Sequence, residues 1–238
     1  MAKVHSLDAL TLKQLENFGL CDSHGLTTAK TAEKFLKTVG IALRYWRTDR
    51  LPLASLYQAA WGGIDTPPKK EKDEPGKTSP REEAQRKAIE LTNYLLATHN
   101  GIEVNVIANR LSLVHRGLIP ALYRLVRRHR PVTELGDVSV TGRKVFHWME
   151  ENKEVTAGTV RTFLGIVSSD LNNDPAYKAL AELQSVMLVD RGPFVMRKAG
   201  IPYLSKEGYP YHCFHLVHED LMRAAMKLSH EEAAGQVR

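Results

Sequence analysis

The chain is poor in cysteine and has no long apolar run. Two cysteines in 238 residues, Cys21 and Cys213, are too few for a disulfide framework, so reduced thiols are expected. No apolar stretch reaches the roughly 18 residues needed to span a bilayer, so a membrane is not an expected partner. Met1–Leu10 carries Lys3 and Asp8 and lacks a continuous apolar core, which argues against a signal peptide. The expected location is the cytoplasm, with association to the nucleoid as a variant. Catalytic signatures are missing as well. There is no Gly-x-Ser-x-Gly, no His-Glu-x-x-His and no Walker-type loop. Glu82-Glu83, Glu150-Glu151 and Glu231-Glu232 stand in charged, helix-like contexts that read as solvated surface. No feature argues for an enzyme, and no cofactor is expected.

What is present is an ordinary globular composition with an unusual distribution of charge. Hydrophobic residues make up 43% and charged residues 25%, enough to bury a core in one large or two small domains. Lys and Arg number 33 against 27 Asp and Glu, a net charge of +6, and the pI is near 9.3. Between Val104 and Thr133 stand six arginines (Arg110, Arg116, Arg124, Arg127, Arg128, Arg130) and no Lys, Asp or Glu, so that one segment carries the whole excess. A concentrated cationic run suggests a surface that meets anions. On a helix, Arg124, Arg127 and Arg128 share one side at i, i+3 and i+4, leaving Leu122, Leu125 and Val126 for the core.

Four regions follow from the pattern. Residues 1–64 form an N-terminal helical unit, with helices expected over Leu7–Phe18, over Thr31–Tyr45 and from Ser55. Asp65–Pro80 holds four prolines and mixed charge and reads as a linker or long loop. Residues 81–136 read as a helix-turn-helix-like module, with helices at Arg81–Thr98, Val104–Leu111 and Gly117–Arg130. Residues 137–238 repeat that layout weakly, with helices at Thr141–Asn152, Thr156–Leu164 and Asp174–Val186. Thr141, Thr156 and Asp174 serve there as N-caps, and Pro175 takes the first turn. Strands are expected over Val186–Pro193, its return Phe194–Arg197, and Tyr211–Val217. Three helices followed by a hairpin is the winged-helix order, in which the third helix enters the major groove and the hairpin follows the phosphates.

Two smaller groups qualify that picture. Cys213, His215 and His218 carry zinc-ligating chemistry, but their spacing is not that of paired structural sites, so no metal is assigned. Tyr45-Trp46-Arg47 with Arg50 is a basic aromatic group that would stack on a base or, more simply, pack Trp46 into the core.

Several patches resemble a known family. Thr31-Ala32-Glu33-Lys34-Phe35-Leu36-Lys37-Thr38-Val39-Gly40-Ile41, followed by Leu53-Ala54-Ser55-Leu56-Tyr57-Gln58-Ala59, is similar to small relatives of the bacterial crosslink-repair DNA glycosylases of the YcaQ/AlkZ type. Ile119-Pro120-Ala121-Leu122-Tyr123 resembles their central element. Val140–Phe146 with Lys178–Gln184 resembles their closing winged helix. The resemblance implies tandem winged-helix architecture and a duplex-DNA setting. It does not extend to the Gln-x-Gln pair that positions water in that family, because Gln14, Gln58, Gln85, Gln184 and Gln236 are all isolated. A non-catalytic relative is therefore expected.

The sequence reading is thus a mostly α-helical protein with small β-wings, built from tandem helix-turn-helix or winged-helix modules after an N-terminal helical unit. Its expected function is DNA binding in repair or regulation. The expected phosphate contacts are Arg116, Arg124, Arg127, Arg128 and Arg130, then Lys178, Arg191, Arg197 and Lys198 from the second module. Lys178 stands opposite Glu182, so that third helix is a poor reader of bases and is expected to pack on a neighbour. The alternatives are a protein-interaction module, which includes pairing with a second copy of the chain, and a divergent DNA glycosylase.

Overall fold

A computed structural model describes residues 15–18, 20, 25–46, 53–63, 78–152, 155–167, 173–194 and 208–237. The chain divides into two compact units, Met1–Leu95 and Leu96–Arg238. Of the described residues, 56% are helical and 16% lie in strands. The fold is mixed α/β, which corrects the expectation of a mostly helical protein with small wings.

In the first unit, Thr28 opens α1 (Ala29–Val39) with a capping box in which it and Thr31 exchange side-chain and backbone hydrogen bonds. The expected helix over Thr31–Tyr45 stops short, because Gly40 takes a φ of +70° and the chain continues as β1 (Ile41–Leu43). Strand β1 pairs in parallel with β2 (Ala54–Ser55), and Ser55 caps α2 (Leu56–Trp61). Trp46 packs on Tyr57, Ala60 and Ala88, with ring centroids of Trp46 and Tyr57 5.5 Å apart. Arg47 and Arg50 lie outside the described residues, as do most of the helix expected over Leu7–Phe18 and most of the Asp65–Pro80 linker. Helix α3 (Pro80–Ala97) begins at a second reciprocal cap, formed by Ser79 and Glu82.

The second unit departs most from expectation at its start. Val104–Leu111 is not a helix: β3 (Gly101–Ile107) and β4 (Arg110–His115) form an antiparallel hairpin. Ile102, Val104, Val106, Ile107 and Val114 supply the β-branched side chains that suit a pleated surface. Ala108 and Asn109 take φ values of +47° and +54°, the two left-handed residues that a two-residue turn of the right hand requires. Ile107 and Leu111, four apart and apolar, therefore lie on separate strands and not on one helical face. With its middle member a strand, the first half of the supposed repeat has no helix-turn-helix.

A short 3-10 turn at Arg116–Leu118 leads into α4 (Ile119–Arg127), which ends at Arg128 with a left-handed φ of +48°. Helices α5 (Val140–Glu151), α6 (Ala157–Phe163) and α7 (Pro175–Ser185) form close to where periodicity places them. Thr156 and Asp174 cap as expected. The cap of α5, however, is Ser139, whose Oγ accepts from Gly142 N at 3.0 Å, and not Thr141. Strand β5 (Val155–Thr156) precedes α6, while β6 (Val189–Arg191) and β7 (Pro210–Cys213) follow α7. The strand expected over Tyr211–Val217 turns at Cys213 into the one-turn helix α8 (Phe214–Val217), followed by α9 (Glu219–Met226) and α10 (His230–Val237). The strands of this unit run in the order β4-β3-β6-β7-β5, each neighbour antiparallel. Phe146, Val160, Leu180, Leu183 and Val189 centre the core between this sheet and helices α5 to α7.

Candidate nucleic-acid interface

The arginine segment does not form one exposed stripe. Helix α4 packs against α9 and α10, and the face they cover carries Tyr123, Arg124 and Arg127 as well as Leu122. Leu125 and Val126, expected in the core, are only half-buried. Arg124 is 7% exposed, and its Nε donates to the Leu228 carbonyl at 2.7 Å. Arg127 is 2% exposed, and its Nη2 donates to the carbonyls of Pro131 and Glu134 at 2.7 and 2.9 Å, which holds the α4–α5 connection in place. These two guanidiniums thus serve as hydrogen-bonding pegs inside the fold. Burial pulls Arg127 below its ordinary pKa and pushes the neighbouring Tyr123 hydroxyl up.

The other four arginines stand elsewhere. Arg116 is ion-paired with Asp220 at 2.5 Å. Arg110 and Arg128 are exposed, on the hairpin turn and at the end of α4. Arg130 is half-buried, with Nη1 2.5 Å from where a Cβ on Gly136 would stand; that glycine, at φ +58°, leaves the space it occupies. Of the six arginines, only Arg116 has a carboxylate within 4.0 Å among the described residues.

The second-module residues also separate. Lys178 is exposed, and its Nζ lies 3.2 Å from Asn173 Oδ1. Its helix, α7, packs against β3, as expected of a helix leaning on a neighbour: Asn105 Nδ2 donates to Ala181 O and Gln184 Nε2 to Glu103 O, each at 3.4 Å. Glu182 accepts from both N and Oγ of Ser139, at 2.8 and 2.6 Å. This leaves α7 little outer face for base edges. Arg191 is buried in an ion pair with Glu103 beneath the Tyr209 ring, 4.1 Å from its centroid, so it points into the fold and not toward phosphate. Arg197 and Lys198 lie outside the described residues.

Cys213, His215 and His218 do not converge. His215 approaches Glu150 at 3.5 Å, and the buried His218 hydrogen-bonds Asp190 at 2.7 Å. No three metal-binding side chains form a group among the described residues. Burial, with the charges of Glu150 and Asp190, pushes the Cys213 thiol up to about 12, the opposite of a metal-binding or nucleophilic cysteine. Asp190, which sequence reasoning passed over, is the acidic centre of this region. Burial alone would raise its carboxyl, but the His212 imidazole 3.6 Å away and the hydrogen bond with His218 outweigh it and leave the group below the ordinary carboxylate range. Its signal in the sequence was an acid directly after the apolar run Val186–Val189.

No protein family, curated protein or solved structure matches this chain.

Proposed function

We propose that this protein binds double-stranded DNA through the phosphate backbone, with little preference for sequence. The observation that carries this reading is the uncompensated charge: five of six arginines in Val104–Thr133 lack a carboxylate partner among the described residues. Arg110 and Arg128 stay exposed, and Arg143, Lys144 and Lys178 add exposed cations of the same unit that also lack a carboxylate within 4.0 Å among the described residues. Cations so placed meet phosphates in exchange for counterions, whereas a covered α7 argues against reading of base edges.

The test is duplex binding across a salt series with Arg110→Ala and Arg128→Ala combined. Each lost phosphate contact lowers the log–log salt slope by about 0.9, so the double variant is expected to lose roughly two from its magnitude. Both positions are exposed, so the melting temperature should hold. A folded double variant that keeps affinity and slope would refute the reading.

A further inference from the structure

The buried arginines border a cleft of about 350 Å³ between the end of α4, the connection after it and α9. Arg124, Arg127 and Arg130 form its basic wall, Val132, Met222 and Met226 line its apolar side, and no carboxylate borders it among the described residues. The unusual member is Arg127. It is 2% exposed, has no carboxylate within 4.0 Å among the described residues, and its Nε makes no hydrogen bond. Burial outweighs the attraction of Glu134 and the interaction with Tyr123, so the guanidinium lacks a counter-charge in contact, and an anion in the cleft would relieve that. Among the described residues Arg124 engages only its Nε, with the Leu228 carbonyl, so its Nη groups are left for a second contact.

We infer that this cleft binds a small aliphatic monocarboxylate, its head group on Arg124 and Arg127 and its chain along Met222, Met226 and Val132. Planar guanidinium matches carboxylate in a two-pronged geometry. Opposite the guanidiniums the wall is apolar, formed by Val132, Met222, Ala225 and Met226, so a charged head with an apolar body fits better than a phosphate dianion, whose desolvation costs more and which would leave that side unfilled. Flexible methionines adapt to an alkyl chain. The volume is near the lower end of small-ligand sites, about 300–1,000 Å³, and too small for a strand of nucleic acid. The inference does not depend on DNA binding.

Calorimetric titration of the full chain with octanoate, with octan-1-ol as the uncharged counterpart, tests it directly. Octanoate is expected to bind with a Kd below about 1 mM and octan-1-ol at least about tenfold more weakly. Met226→Glu places a carboxylate at the cleft from a side chain 66% exposed in the native protein, and should weaken octanoate at least about tenfold with an unchanged melting temperature. Arg130→Gln should do the same through loss of a cation, and stands as the check if Met226→Glu unfolds. Binding of octan-1-ol as tight as that of octanoate would overturn the inference. So would an unaffected folded Arg130→Gln, tighter binding of inorganic phosphate or 5′-dAMP, or no octanoate binding below that limit. Octanoate binding in a protein that fails to bind DNA would leave it standing.

Discussion

Strand β3 registers with β6 at a single residue pair, Glu103 opposite Arg191, and those two side chains form the buried ion pair. Their side chains are 0% and 7% exposed, so neither charge is screened by water. Glu103→Gln preserves shape but leaves the guanidinium buried without its counter-charge, a change that typically costs about 3–5 kcal/mol. The Tyr209 ring stays over the guanidinium and the amide oxygen still accepts, so the lower end, about 3 kcal/mol, is expected. Against a total stability of about 5–15 kcal/mol that is a large fraction. In urea denaturation, a slope of about 2 kcal/mol per molar moves the midpoint down by about 1.5 M. Replacing both partners, Glu103→Met with Arg191→Met, removes the unpaired charge and should return to within about 1–2 kcal/mol of the parent. A loss under about 1 kcal/mol in Glu103→Gln, or a double variant no better than the single, would refute the argument.

Ser139→Ala is expected to destabilise by about 1–2 kcal/mol and Thr141→Ala by much less in the same assay, because Ser139 and not Thr141 caps α5. Phe146→Ala, at a side chain 1% exposed in the core, should cost about 3–5 kcal/mol. Asp190 titrates below its unfolded value of about 3.9, so its stabilising contribution is complete above that pH and is lost as pH falls through the folded value. The stability gap between the parent and Asp190→Asn should therefore be constant near neutral pH and narrow in acid; a gap that persists in acid would count against it. With its thiol held up at about 12, native Cys213 should react with iodoacetamide about a thousandfold more slowly than a free thiol, and mass spectrometry of its peptide with and without urea would show it.

The helices were legible where local chemistry decides. α5, α6 and α7 combine a 3.6-residue stripe with a capping residue, and α7 adds Pro175 at its first turn. The hairpin β3–β4 was not legible, since its left-handed turn falls on Ala108 and Asn109 without the glycine that usually marks one. The charged face of α4 was assigned to solvent because amphipathic reasoning sends arginine outward. What inverts it is the cover from α9 and α10, about a hundred residues later in the chain and invisible to any local window. Arg191 was offered to phosphate for the same reason. Its partner Glu103 lies one residue before the acid-free segment begins, and only the sheet register brings them together.

The ties that close the second unit have a bearing on how it forms. Arg124 reaches Leu228 and Arg116 reaches Asp220 across 104 residues each, and Asn105 reaches Ala181 across 76. Contacts of such separation must overcome the entropy of closing long loops before they return any energy, which places folding in the milliseconds-to-seconds range and not the microseconds of a helical bundle. During synthesis, the apolar and arginine face of α4 emerges well before its cover exists. For that interval the nascent chain offers a sticky, cationic helix, and the growing polypeptide is vulnerable to aggregation until α9 has docked.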